Sequence, residues 1–235
     1  PYGPRPQDEV RDFARQIAWS LVKDHDVKAI VVACNTASAA ALDELQSELP
    51  VPIIDVIVPG ARALVRTTRT GRVGVIGTTG TIRSGAYERA VGAAAVDEAR
   101  NDIDLTAAAC PGFVEFVESG QVVGDDVTLL AQRLLEPVRA ADIDALLLGC
   151  THYPYLARVI SEVMGPDVTL VSSADETAFA AAAHLRALGL LRQPGGGEPA
   201  VHRFLSSGDT TWFSYLGGRL LGPELGSADR WAADE

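Results

Sequence analysis

The stretch "VKAIVVACNTAS" (27–38) closes a run of buried-type side chains with Cys34, Asn35 and Thr36. Ala29, Ile30, Val31, Val32 and Ala33 follow one another with no polar residue between them. An uninterrupted apolar run of this length reads as a strand covered on both faces, as in a parallel sheet. A second stretch, "IDALLLGCTHYP" (143–154), repeats the design: an apolar strand, then Cys150, then Thr151 and His152. The two cysteines stand 116 positions apart (150 − 34). Two similar α/β domains facing each other would produce such an echo; chance similarity between strand-to-helix loops is the other reading.

Working outward, further strands are expected at 51–57, 72–77, 103–109, 168–173 and 202–207. Helical patterns fill 7–24, 38–49, 58–69, 81–94, 124–141, 155–164 and 174–191; in the first, Val10, Phe13, Ala14, Ile17 and Leu21 form one apolar stripe. Alternating strands and helices imply an α/β fold with mainly parallel sheets. The Pro/Gly cluster "QPGGGEP" (193–199) reads as a linker before a last strand and helix.

At 235 residues, 47% of them apolar, the chain can build one large or two modest domains. A formal charge of −11 argues against a nucleic-acid footprint, which needs clustered Lys and Arg. No apolar run reaches the ~18 residues of a membrane span, and no signal peptide is visible. Three cysteines without a CxxC pair indicate neither a disulfide framework nor a zinc knuckle, so a reducing cytoplasm is the default.

Ligands of open α/β sheets collect outside the carboxyl ends of the strands. Cys34 and Cys150 occupy such ends, each before a helix whose N-terminus favours thiolate, so a pKa below the free-thiol value of about 8.5 is expected. Donor side chains follow each of them. Cys110, in "AAACPGFVEFVESG" (107–120), precedes Pro111 and Gly112 and reads as a packing residue at a tight turn. Glu118 reads as an exposed helix-face carboxylate. His152 is placed to orient or protonate a thiol partner, or to bind a carboxylate. His25, His184 and His202 read as surface, helix-face or strand-edge residues, and Asp209 as a helix cap. "GVIGTTGTIRSG" (74–85) lacks both GxGxxG and GxxxxGK[ST], so its threonines and amides suit a small carboxylate or a helix cap better than a nucleotide.

Together, "PYG" (1–3), "ACNTASA" (33–39), "GVIGTTGTI" (74–82), "CPGFVEFVESG" (110–120) and "GCTHYPYL" (149–156) make this chain resemble the bacterial glutamate racemases of the aspartate/glutamate racemase superfamily. The resemblance implies two similar α/β domains related by a pseudo-two-fold axis, with the active site in the cleft between them. Residues 1–60 plus 172–235 would form the first domain and 61–171 the second. It further implies cofactor-independent interconversion of L- and D-glutamate, supplying D-glutamate for peptidoglycan, in a cytoplasmic homodimer. Cys34 and Cys150 match the two catalytic thiols. Tyr2, Gly3, Asn35, Thr36, Thr151 and His152 match substrate-binding positions, with Thr78 a weaker candidate. His152 and Glu118 match residues that support the second thiol. An Asp-Ser pair is expected upstream of "PYG", in residues preceding Pro1. An aspartate racemase and a non-catalytic module binding a small carboxylate are the competing readings.

Overall fold

The computed structural model describes residues 2–192 and 199–231; residues 193–198 of the expected linker lie outside the described residues. Contacts divide the chain into two compact units, Pro1–Gly189 and Leu190–Glu235.

The first unit opens with α1 (Gln7–His25), β1 (Ile30–Val32), α2 (Asn35–Glu48), β2 (Ile53–Asp55) and α3 (Ile57–Thr67). β1 and β2 pair in parallel, Ile30 opposite Ile53. Val10, Ala14 and Ala18 of α1 pack with Ala37, Ala41 and Leu45 of α2 and with Ile30 and Ile53, forming one core. The chain continues through β3 (Arg72–Gly77), α4 (Thr79–Arg83), α5 (Ala86–Asp97), β4 (Asp104–Ala109), α6 (Phe113–Glu118), α7 (Asp125–Leu134) and α8 (Glu136–Ala140). β5 (Ala145–Gly149), a 3-10 turn at Tyr153–Leu156, α9 (Ala157–Met164), β6 (Thr169–Ser172) and α10 (Ser173–Ala187) complete it. A second core gathers Leu64, Val73, Val75, Tyr87, Val91, Leu147 and Val171.

The larger sheet runs β4-β3-β5-β6, and every pairing in it is parallel. Strand order reverses between β3 and β5, where the chain first builds outward to β4 and then to β6. That junction is the topological switch point at which open α/β sheets bind ligands. Gly77 and Gly149 face each other there, the last residues of their strands. A Cβ on Gly149 would lie 2.8 Å from both the Ile76 carbonyl oxygen and a Tyr87 ring carbon, so only glycine lets the β5 loop leave at this spot.

The expected strands all appear, most of them shorter, and 202–207 contracts to Leu205–Ser206. Helix boundaries differ at several ends, 174–191 stopping at Ala187 among them, and three differences have a local cause. α2 begins at Asn35 rather than 38, because Cys34 is its N-cap and the Ser38 N–H already donates to the Cys34 carbonyl at 2.8 Å. The 81–94 pattern splits into α4 and α5 at Gly85, whose φ of +68° is left-handed. The 124–141 pattern splits into α7 and α8 at Leu135, because Pro137 in the first turn of α8 has no N–H to continue the ladder.

The second unit holds β7 (Leu205–Ser206), α11 (Thr210–Leu221) and β8 (Asp229–Arg230), the last unexpected from sequence. β7 and β8 pair in parallel. Asp209 caps α11 as expected, accepting from the Thr211 and Trp212 N–H groups.

Asp144, buried at the start of β5, braces the turn before β3. Its carboxylate accepts from the Thr68 hydroxyl and from the Arg69 and Thr70 N–H groups at 2.8 and 2.9 Å. Burial works against its ionisation, but those hydrogen bonds outweigh burial and hold the carboxyl below its ordinary range. A depressed folded-state pKa stabilises the fold above the unfolded-state value of about 4 and loses that contribution as pH falls through the folded value. Asp144→Asn is therefore expected to cost about 2 kcal/mol in urea unfolding at pH 7. The gap to wild type should shrink below about pH 4.

Candidate active site

β1 and β5 deliver Cys34 and Cys150 at their carboxyl ends. The Cys34 side chain is half-buried; Cys150 is 6% exposed. The two thiols, separated by 116 residues in sequence, lie within electrostatic reach, since Cys34 is among the charges that raise the Cys150 pKa. Burial is the larger cause, and it pushes the Cys150 thiol up to about 12 despite opposing hydrogen bonds from the His152 and Tyr153 backbones. The expected lowering fails for Cys150. A helix N-terminus favours thiolate only where water or another dipole completes its solvation, and here the sulfur is buried away from water. Cys110 is buried beside it and also pushed up to about 12, in keeping with a packing role.

His152 stands next to Cys150, with Nδ1 3.9 Å from Sγ. Its other ring nitrogen, Nε2, lies 2.8 Å from a carboxylate oxygen of Glu118. If Nε2 carries the proton toward Glu118, Nδ1 is left as an acceptor facing the thiol. Glu118 is thus more than a bland helix-face carboxylate: the last residue of α6 reaches across to the β5 loop. Thr151 is exposed on that loop.

Around Cys34, the first turn of α2 contributes Asn35 and Thr36, both buried. The Thr36 hydroxyl meets those of Thr78 and Thr81 at 2.9 and 3.1 Å, and these two meet each other at 3.0 Å. Thr78 also caps α4. The "GTTGTI" segment therefore joins the α2 terminus through a triangle of hydroxyls. Gly3 rests on Thr78: a Cβ there would sit 2.7 Å from the threonine Cβ, and the Gly80 N–H donates to the Gly3 carbonyl at 3.0 Å. Tyr2 stacks on Phe13, and burial followed by the Cys34 charge raises its hydroxyl pKa.

Asn35 carries a feature sequence reading missed. Its Oδ1 accepts from the Tyr87 hydroxyl at 2.5 Å, while its Nδ2 is buried with no hydrogen-bond partner. Tyr87, on α5, is wholly buried and lies 52 residues from Asn35 in sequence. No local motif marks Tyr87 as a neighbour of the site, whereas Thr81 falls within the "GVIGTTGTI" stretch (74–82).

An apolar cavity of about 370 Å³ reaches Cys150 and Thr151 and is walled by Val31, Ala33, Leu148 and Pro154. A larger one, about 470 Å³, lies away from the thiols between Glu136, Arg139, Asp142 and Asp167. Among the described residues, no three His, Cys, Asp or Glu side chains gather as metal ligands would. Among them, too, no helix is long and apolar enough to cross a membrane.

Burial makes one reactivity forecast. Cys34 should be alkylated by iodoacetamide at neutral pH well before Cys150 and Cys110, read by peptide mass spectrometry; equal labelling of both site thiols at pH 7 would contradict it. Cys110, which no base is given to serve, should react only as pH climbs toward 12.

The profile of the family described as Asp/Glu/hydantoin racemase matches residues 1–182. The chain belongs to this racemase family. A glutamate racemase of Parafrankia sp. (strain EAN1pec) is 50% identical over 225 residues, covering 96% of this chain and 79% of that relative. The crystal structure of a glutamate racemase from Bacillus anthracis superposes with a TM-score of 0.88 at 40% identity, covering 99% of this chain and 84% of the other. The glutamate racemase of Francisella tularensis, solved in complex with D-glutamate, gives a TM-score of 0.88 at 32% identity, covering 100% and 84%. The racemase fold expected from the motifs, α/β with parallel sheets, is thus the fold observed.

Proposed function

We infer that this protein is a glutamate racemase, an isomerase that interconverts L- and D-glutamate without a cofactor. The observation that carries the reading is the convergence of two thiols from the carboxyl ends of two strands, close enough for Cys34 to raise the pKa of Cys150. Inverting a stereocentre requires removing the α-proton from one face and delivering a proton to the other. A single base tends to return the proton where it came from, so two groups must flank the carbon. Cys34 and Cys150 take those places and exchange roles with the direction of reaction.

The carbon acid is weak, so the developing carbanion needs preorganised donors around the α-carboxylate. Asn35 and Thr36 open α2, where backbone N–H groups lack intrahelical partners and favour an anion. The unpartnered Asn35 Nδ2 adds a buried donor that an incoming carboxylate can satisfy. Tyr2 and Gly3, with Thr151 and His152 on the opposite loop, complete the substrate contacts, and Thr78 holds Thr36 and Gly3 in place. His152, backed by Glu118, accepts the Cys150 proton and so makes a thiolate accessible despite burial.

The product serves as the D-glutamate of peptidoglycan, in the cytoplasm, and the enzyme works as a homodimer. Residues 1–60 with 172–235, and residues 61–171, form its two domains; the two separate cores, one drawn from Val10–Ile53 and one from Ile57–Val171, support a boundary near residue 60. Circular dichroism tests the activity: L-glutamate should lose its optical signal and L-aspartate should keep it. A constant glutamate signal would overturn the assignment, and loss of the aspartate signal alone would move it to aspartate. Light scattering on the eluted protein tests the dimer.

A further inference from the structure

Nothing in the motif around Cys34 accounts for which way the Asn35 carboxamide points. Its two ends differ only in that one donates and the other accepts, so an outside group must decide. Tyr87 is placed to do so. Its hydroxyl is 2.5 Å from Asn35 Oδ1, and its ring abuts Gly149, where an added Cβ would sit 2.8 Å from ring carbon Cε2. One side chain thus touches the residue after Cys34 and the residue before Cys150.

We propose that Tyr87 is a positioning residue for racemisation: by occupying Asn35 Oδ1 it commits Asn35 Nδ2 to the substrate carboxylate and spaces the two thiol loops. The proposal rests on the glutamate racemase reading above. Burial, with Cys150 and Asp55 adding to it, raises the Tyr87 pKa far above its ordinary value, so the phenol stays protonated and can donate. An amide oxygen accepts that proton in the geometry observed; a flipped amide would donate to the phenol oxygen instead and leave its own oxygen facing the substrate carboxylate, which repels it. With the hydroxyl gone, the amide is free to turn and present its oxygen to an anionic substrate, which repels it. Asn35 and Tyr87 are 2% and 0% exposed, so water does not replace the lost partner.

Kinetics on the full protein test this. Wild-type turnover is measured first, because an inactive wild type removes the racemase reading and the positioning role with it. Tyr87→Phe keeps the ring against Gly149 and removes only the hydroxyl. It should raise KM for both enantiomers about tenfold while kcat changes much less. A role through Asn35 requires that the same change in an Asn35→Ala background add nothing further to KM. An active wild type with unchanged KM in folded Tyr87→Phe, or a full additional loss in the Asn35→Ala background, overturns the positioning role alone. Asn35→Asp decides the matter even if the Tyr87 variant does not fold. It keeps the acceptor for Tyr87 and turns an oxygen toward the substrate, so KM should rise at least about tenfold, beyond the loss of thermal midpoint that a buried carboxylate brings. Wild-type KM in Asn35→Asp would show that the donor end does not face substrate and would overturn the proposal.

Discussion

Cys150→Ser and Cys34→Ser are each expected to lower kcat/KM for glutamate about a thousandfold, since a hydroxyl is a far weaker proton acceptor than a thiolate. The loss must be the same in both directions. L- and D-glutamate have equal free energies in water, so forward and reverse kcat/KM are bound to match for any variant. Only the separate kcat and KM values can become unequal. Isotope exchange gives the sharper reading. With one thiol removed, the other can still take the α-proton from its own face and return a solvent deuteron there. Each variant should therefore exchange the α-hydrogen of one enantiomer in D₂O without inverting it, and the two variants should choose opposite enantiomers. Proton NMR reads both quantities. Racemisation retained at wild-type rate by either variant would end the two-thiol mechanism.

His152→Gln carries the second large effect, a loss of about a hundredfold in kcat/KM at pH 7. Burial holds the Cys150 thiol near 12, so at neutral pH almost none of it is ionised without help. His152 Nδ1, 3.9 Å away, is the group placed to take that proton. The sign of the pH dependence follows. In the variant, activity should rise with pH as solvent base replaces the imidazole, whereas wild type should already be active at neutral pH. The climb has a ceiling. A raised thiol pKa stabilises the fold fully below the ordinary thiol range, and this contribution fades as pH rises toward 12, so alkaline unfolding cuts the profile off. Glu118→Gln should cost less, roughly tenfold or below, because the Glu118 side chain is 50% exposed and its pairing with His152 is screened by water. A pH–rate profile of His152→Gln parallel to wild type would remove the imidazole from the proton path.

Much of the site could be read from short stretches. "ACNTASA" and "GCTHYPYL" place a thiol at a strand end with donors directly after it, and that is a local matter of apolar runs followed by polar residues. The strands and most helices are legible for the same reason: periodicity and turn residues act within a few positions along the chain. Gly85 and Pro137 broke two helices that the apolar pattern alone would have run together. Those signals are present in the sequence, but the apolar period continues across both residues.

What sequence alone determined, then, was the alternation of strands and helices, the position of both thiols, and the family motifs. The tertiary structure decided how those thiols behave. Cys150 is pushed up to about 12 because distant segments exclude water from it, and desolvation cannot be seen from the residues beside it. The same holds for the Glu118–His152 pair, 34 residues apart, for the Tyr87–Asn35 bond across 52, and for the hydrogen bonds that converge on Asp144 from residues 68–70. A side chain's type is local information; its solvation and its partners belong to the packed fold.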